Sequence, residues 1–233
     1  MPRRARVQIP GYPLHIVQRG HNRASCFLEP SGFELYLGLL NELHASFHCR
    51  IHAFVLMTNH VHLLVTPDEP DAASELMRRV NLRFVQAMNR NYGRTGSGFE
   101  GRFWSSVVET ANYFLTTHRY IELNPVRAGM VRRPQDYRWS SHATNAFGSP
   151  CPFIEPHAEY LTLGRNPDRR HAAYRSLFHE ALDDAQLTAI RAALKSNLPY
   201  GSDAFIDELE SRLGMRLRRG KPGPKTEVPT VET

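Results

Sequence analysis

The sequence predicts an α+β protein, in which helices pack on an antiparallel sheet and a helical, basic C-terminal extension follows. Three observations support this prediction. Residues 54–66 contain two apolar runs rich in β-branched residues, joined at the polar pair Thr58-Asn59, which is typical of a β-hairpin. Apolar residues recur at helical spacing on both sides of this hairpin. From Arg212 onward, lysine and arginine dominate the charged residues.

Composition narrows the class of protein. The chain has 233 residues, 41% of them hydrophobic, which suits one sizeable domain with a small appendage. Its cysteines, Cys26, Cys49 and Cys151, are odd in number and widely spaced, which argues against a disulfide framework or a cysteine zinc site. Because no apolar run reaches membrane-spanning length, we expect a cytoplasmic protein without membrane association. The net charge of +6 favours a polyanionic partner such as nucleic acid.

Five further elements surround the hairpin. Gly20 should end the first strand, and Ser31 is the expected N-cap of the first helix. Asn112 is the expected N-cap of the third helix, and Asn124-Pro125 should end it because a residue before proline disfavours helical backbone. In chain order we expect a strand at 12–19, a helix at 31–47, the hairpin, a helix from about 70 to 91, a strand at 104–108 and a helix at 112–124.

The pattern loosens beyond Pro134, where prolines and glycines predict a connector that wraps the domain rather than new sheet. A domain boundary is therefore expected between residues 135 and 136. Helices are predicted at 166–182 and 184–194, and the segment 201–203 is a plausible cap for another one.

Two histidines, a tyrosine and an asparagine are the candidate site residues. In a strand that begins at His60, side chains alternate, so His60 and His62 project from one face and offer two nitrogens to a divalent metal. Ordinary hydrogen-bonded histidines at the end of a sheet are the alternative. Tyr113, Tyr120 and Asn124 are spaced by seven and four residues, which places them on one helix face. The alternative is a tyrosine packed at the edge of the core. Glu122 points off that face, and we expect it at the surface.

Arginines are the candidate DNA-binding residues. They lie on the second predicted helix, in the glycine-rich connector after it and near the C-terminal end. In each place they either contact a phosphate backbone or form solvated surface. The candidates are Arg78, Arg79, Arg83, Arg102, Arg216, Arg218 and Arg219.

Two segments together resemble a known family. Residues 59–65, Asn-His-Val-His-Leu-Leu-Val, resemble the His-hydrophobic-His motif of HUH single-strand nucleases. Residues 119–129, Arg-Tyr-Ile-Glu-Leu-Asn-Pro-Val-Arg-Ala-Gly, resemble the nucleophile segment of their single-tyrosine transposase branch. The likeness is strongest to the REP-associated tyrosine transposases and covers about residues 7–140. It implies a ferredoxin-like catalytic domain at 1–135, and a connector with a DNA-binding extension at 136–233.

The resemblance also implies a chemistry. His60, His62 and Asn124 would hold Mg²⁺ or Mn²⁺, although imidazole ligands alone lean toward zinc or nickel. Tyr120 would attack single-stranded DNA, at hairpins of REP type, and form a 5′-phosphotyrosine that a 3′-hydroxyl can reverse. The protein would act as a monomer or a homodimer.

Two other functions stay open at this point. One is a non-catalytic nucleic-acid-binding protein on the same scaffold, in which Tyr120 only stacks or packs. The other is a metal-dependent hydrolase that uses His60 and His62 with water as the nucleophile. A covalent DNA adduct on Tyr120 would separate both from the transposase.

Overall fold

The computed structural model describes residues 6–218, so Arg219 lies outside the described part of the chain. No helix within that range is long and apolar enough to cross a membrane. The strands are β1 (Leu14–Arg19), β2 (Cys49–Met57), β3 (His60–Pro67) and β4 (Trp104–Val107). The α-helices are α1 (Pro30–Leu43), α2 (Ala72–Tyr92), α3 (Ala111–Glu122), α4 (Asn124–Arg127), α5 (His142–Phe147), α6 (Ala158–Leu161), α7 (Pro167–Ser176), α8 (Asp184–Ser196) and α9 (Asp203–Leu213).

The four strands form one antiparallel sheet in the order β2-β3-β1-β4. With α1 and α2 as its two crossovers, the chain order βαββαβ and this strand order confirm the predicted ferredoxin-like α+β fold. The hairpin turns at Thr58-Asn59, and β3 begins at His60 as predicted. His62 lies opposite Val17 of β1 and Val55 of β2, so it occupies a central position in the sheet.

Helices cover both faces of the sheet. On one face, α1 and α2 pack against Ile16, Val61 and Leu63, which are fully buried. The opposite face, which carries Val17 and Leu64, packs against α3 and α8. Because side chains alternate along β3, His60 and His62 belong to this second face. The helix α3 and the two histidines are therefore on the same side of the sheet.

Segments from the second half of the chain cover both outer strands. Beside β2, Leu56 N donates to Trp139 O at 2.9 Å, and Glu155 N donates to Ile51 O at 2.8 Å. Beside β4, Tyr200 N donates to Val107 O at 2.7 Å. As predicted, the connector adds no strand within the described range, but it pairs with the edge of the existing sheet.

Several local predictions need correction. The helix α3 begins at Ala111 after Thr110, so Asn112 is not its N-cap, and α1 begins at Pro30 rather than after Ser31. Short helices α5 and α6 lie in the segment expected to be a plain connector. Ser202 does cap α9, because its side chain accepts from Phe205 N.

Within the described range, residues 136–218 pack into the same two cores as the residues before them. Phe205, Leu209 and Leu217 join the core that contains α1 and α2, whereas Ile190 and Leu194 of α8 join the core on the other face. Each of the two cores therefore contains residues from both sides of the 135/136 boundary.

Candidate active site

The four predicted site residues line one cavity of about 690 Å³. His60 and His62 come from β3, Tyr120 from the last turns of α3, and Asn124 from the first position of α4. We call this cavity, with all its lining residues, the active-site cavity. Its wall comprises Val17, Arg19, Arg23, His60, His62, Trp104, Tyr120, Asn124, Arg127, Ala128, Arg191, Leu194 and Lys195.

Hydrogen bonds orient both histidines in the same way. His60 Nδ1 lies 2.6 Å from Asn59 Oδ1 and donates to it, which leaves Nε2 as the nitrogen that can accept a ligand. Asn124 Nδ2 donates to His62 Nε2 at 2.9 Å, so His62 Nδ1 carries the proton that it donates to His15 Nε2, also at 2.9 Å. Each ring is thus held through Nδ1, the arrangement usual for histidines that ligate a metal.

Both histidines are neutral at physiological pH. Burial, with Arg19 as a weaker cause, lowers the pKa of His60 to about 4. Burial also holds the pKa of His62 well below its ordinary value, and the neighbouring His60 and His15 lower it further. A neutral imidazole carries a lone pair on its unprotonated nitrogen, so both rings are in the protonation state that binds a metal. The lone pair of His62 Nε2 accepts from Asn124 Nδ2, so His62 would exchange this bond for the bond to a metal.

The residues present fit a metal that keeps several non-protein ligands. Among the described residues, no group of three or more histidine, cysteine or acidic side chains is placed to hold a metal. Two imidazoles and the Asn124 amide therefore make at most a three-residue set, fewer than the four ligands of a structural zinc site. Mg²⁺ and Mn²⁺ complete their coordination with water and phosphate oxygens, so this set suits them.

Tyr120 lies directly beside the histidines. Its residue is only 6% exposed, and its ring centroid is 5.6 Å from that of His15 and 5.9 Å from that of His62. Arg127 lies over the same ring, with Cζ 4.3 Å from the centroid. The predicted face relation between Tyr120 and Asn124 survives even though α3 ends at Glu122. Tyr113, predicted on the same face, instead packs edge-on against Tyr200.

Sequence reasoning missed the cations of the cavity. Five of its lining side chains are basic and none is acidic: Arg19, Arg23, Arg127, Arg191 and Lys195. Two of them had a local signal. Arg19 lies two residues after Val17 on β1, so both side chains project from the same face of the sheet. Arg127 follows Tyr120 by seven residues, which is two helical turns. Arg191 and Lys195 come from α8, and no local pattern predicts where that helix packs.

The predicted DNA-binding arginines that the structure describes lie outside the cavity wall. Arg78 is paired with Glu75 at 2.8 Å and Arg83 with Glu42 at 2.5 Å, both on the exposed surface of α2, across the sheet from the cavity. Arg79, Arg102 and Arg216 are exposed. Arg218 is bound by carboxylates of α9: Asp203, Asp207 and Glu210.

Glu122 is fully buried, so the expectation that it lies at the surface is wrong. Its Oε1 accepts from Ser141 Oγ at 2.6 Å and Asn145 Nδ2 at 2.9 Å, and its Oε2 accepts from His142 Nδ1 at 2.8 Å and Tyr174 OH at 2.9 Å. We call these five residues the Glu122 cluster. Burial acts to raise the pKa of Glu122, but the bonds from His142 and Ser141 outweigh it and hold the pKa below its ordinary value.

Comparison with known proteins finds similarity to transposases. Residues 9–124 match the family model described as "Transposase IS200 like". A solved structure of a REP-associated tyrosine transposase bound to a REP hairpin has a TM-score of 0.56 and 22% identity, over 66% of this chain and 92% of that one. A candidate transposase from Deinococcus radiodurans R1 has a TM-score of 0.36 and 16% identity, over 58% and 97% of the two chains. No curated protein sequence matches.

Proposed function

The chain belongs, through residues 9–124, to the family of IS200-like transposases, and we propose that it cleaves and rejoins single-stranded DNA through a 5′-phosphotyrosine on Tyr120. The observation that carries this proposal is the convergence of His60, His62, Tyr120 and Asn124 in a single cavity with five basic side chains and no acidic one. Binding alone would not require a buried tyrosine ring beside two neutral histidines.

A divalent cation fits the proposal. His60, His62 and Asn124 would hold Mg²⁺ or Mn²⁺, which when bound would withdraw charge from a non-bridging oxygen of the phosphate. The amide and the two imidazoles are uncharged, so the ion would keep its full charge for the substrate.

The chain's own residues perform the rest. The cations of the active-site cavity attract the DNA backbone and hold it against Tyr120, which supplies the proximity that in-line attack needs. As the bond from the tyrosine oxygen to phosphorus forms, the tyrosine hydroxyl gives up its proton to water and the bond to the 3′ oxygen breaks. That oxygen takes up a proton from water and leaves as a hydroxyl. Because the phosphotyrosine retains the ester bond, a second 3′-hydroxyl reverses the step without ATP.

The partner we propose is hairpin-forming single-stranded DNA of REP type, and a REP-associated tyrosine transposase of similar fold was solved bound to a REP hairpin. All four proposed site residues line one cavity of a single chain. We therefore propose that each copy carries its own site, whether the protein acts as a monomer or as a homodimer. Since the substrate is cellular DNA, we place the protein in the cytoplasm.

The test is incubation of the protein and its Tyr120→Phe variant with labelled hairpin oligonucleotides and Mn²⁺. The unchanged protein should produce a covalent protein-DNA band that survives denaturation, and Tyr120→Phe should produce none, because only the nucleophilic hydroxyl is lost. Tyr113→Phe is the matched control, since that ring lies on the same helix but packs against Tyr200. Cleavage without an adduct would indicate the hydrolase, and binding without cleavage would indicate the non-catalytic protein.

A further inference from the structure

Arg127 lines the active-site cavity. It ends the four-residue helix that Asn124 begins, and its guanidinium lies over the Tyr120 ring. Its positive charge is near enough to lower the pKa of both His15 and His62. Arg127 therefore lies close to the proposed nucleophile and within electrostatic range of the proposed metal ligand His62, on the cavity wall that the attacked phosphate has to approach.

The two terminal nitrogens of Arg127 have different surroundings. Nη2 donates to Tyr120 O at 2.6 Å, which anchors the guanidinium to the end of α3. Nη1 is buried and has no hydrogen-bond partner among the described residues. A buried donor without a partner costs about 1–3 kcal/mol, more for a charged group, so in most proteins such a nitrogen is paired.

No carboxylate in the cavity wall compensates the Arg127 charge. Burial is the largest cause that lowers the pKa of Arg127, Tyr120 opposes it, and Arg191 on α8 adds to it as a like charge. The other basic groups of the wall, Arg19 and Lys195 among them, give the cavity the same sign throughout. An anion is thus the ligand that this arrangement lacks, and a phosphate oxygen has the acceptor geometry that a guanidinium binds.

A purely structural role explains only half of this geometry. The bond from Nη2 and the contact with the ring position Tyr120, and neither needs Nη1. Resting on the proposed function, we propose that Arg127 is a catalytic residue whose Nη1 binds a non-bridging oxygen of the phosphate that Tyr120 attacks. It donates a hydrogen bond and transfers no proton, so it stabilises the charge that builds on that oxygen as the tyrosine bond forms and the bond to the 3′ oxygen breaks.

The experiment places Arg127→Gln in the Tyr120→Phe protein, so that binding is measured without cleavage. Two hairpin oligonucleotides are compared in EDTA, one natural and one with an uncharged methylphosphonate at the position where the unchanged protein forms its adduct. The Tyr120→Phe protein should bind the natural DNA about 10- to 100-fold more tightly, as expected for a hydrogen bond between charged groups. With Arg127→Gln added, the two affinities should become equal.

Lys195→Gln is the matched control, because Lys195 is an exposed cation of the same cavity wall. It should weaken binding of both oligonucleotides by the same factor and keep the preference for the natural one. In the protein that retains Tyr120, Arg127→Gln should slow single-turnover adduct formation about 100- to 1000-fold, as for loss of one preorganised donor. Arg127→Lys keeps the charge and serves where Arg127→Gln does not fold; it should retain a reduced preference.

The outcomes separate this inference from the proposed function. Absence of an adduct with the unchanged protein would overturn both. A normal adduct together with an undiminished rate in Arg127→Gln, or a preference for natural DNA that persists in that variant, would overturn only the role of Arg127. Equal affinity of the Tyr120→Phe protein itself for the two oligonucleotides would overturn that role without any change at Arg127.

Discussion

The helix α3 lies between two polar centres, the Glu122 cluster and the active-site cavity, which differ in how completely their polar groups are hydrogen-bonded. In the Glu122 cluster, four donors fill both carboxylate oxygens, and the whole group is closed to solvent. In the active-site cavity, Arg127 Nη1 has no partner within residues 6–218, and His60 Nε2 stands ready to accept one. Only one residue, Ile121, separates Glu122 from Tyr120 in the sequence.

The difference teaches how to distinguish a structural polar centre from a functional one in this molecule. A buried charge with every hydrogen bond made holds its neighbours in one arrangement, because each partner lost leaves a charge uncompensated. A buried charge with a bond left open is complete only when a ligand arrives. Changes in the first centre should therefore reduce stability, and changes in the second should reduce binding and reaction.

The largest effect should come from Glu122→Ala. It removes the common acceptor of four buried donors, so the free energy of unfolding should fall by about 3–5 kcal/mol. Urea denaturation measures it, and Glu69→Ala, at an exposed carboxylate, is the control. A loss below about 1 kcal/mol would mean that the cluster does not stabilise the fold.

Next in size is the loss of either proposed metal-binding histidine. His60→Ala or His62→Ala should abolish measurable Mn²⁺ binding by calorimetry and slow adduct formation at least about 100-fold, because even residues that only support a metal ligand are worth 10- to 100-fold. His179→Ala, at an exposed position outside the cavity wall, should change neither. Unchanged Mn²⁺ affinity in both variants would make these histidines structural.

A smaller effect concerns the pH dependence of stability and His52, which, unlike His60, has a hydrogen-bond partner at both ring nitrogens. Its Nδ1 donates to Glu155 O and its Nε2 accepts from the Thr66 hydroxyl, and burial lowers its pKa to about 3. Because the unfolded chain takes up this proton near pH 6.5 and the folded one near pH 3, the stability from His52 is complete above pH 6.5 and is lost as the pH falls toward 3.

The measurement is the free energy of unfolding at several pH values between 6.5 and 4. His52→Gln should make its decline on acidification shallower by up to about 1.4 kcal/mol per pH unit. Parallel curves for the variant and the unchanged protein would contradict the assignment of His52 as a neutral, buried group.

The smallest effect is expected in the salt dependence of DNA binding, which should differ between the arginines of the active-site cavity and those on the surface of α2. Arg191→Gln, in the active-site cavity, should flatten the dependence of log affinity on log salt concentration by about 0.7 for a single strand. Arg79→Gln, on the α2 surface across the sheet, should leave the slope unchanged. Binding of one hairpin at several salt concentrations decides this, and the reverse result would show that DNA follows α2 instead of the active-site cavity.

Local patterns were sufficient for the strands and for the histidines. The alternation along β3 and the turn at Thr58-Asn59 depend on neighbours in sequence, so the shared face of His60 and His62 could be predicted. The helical spacing of Tyr120 and Asn124 is local in the same sense. The roles of Arg78, Arg79 and Arg83 stay predictions, although the structure places their helix on the other side of the sheet.

The missed features depend on packing between distant segments. Glu122 was expected at the surface because the helix count placed it away from Tyr120, but α5 and α7 bury that second face of α3 with donors from residues 141–174. Arg191 reaches the active-site cavity only because α8 folds back onto β1 and β4. Neither contact leaves a periodic signal in the sequence.

The covered edges of the sheet have a consequence for any attempt to produce the first 135 residues alone. Without Trp139 and Glu155 beside β2, and without Tyr200 beside β4, both outer strands would present unpaired N–H and C=O groups. Exposed strand edges pair with other chains, so such a fragment should aggregate instead of folding as a small independent domain. The second half of the chain thus protects the sheet from self-association, and its removal would compromise solubility before any question of DNA recognition arose.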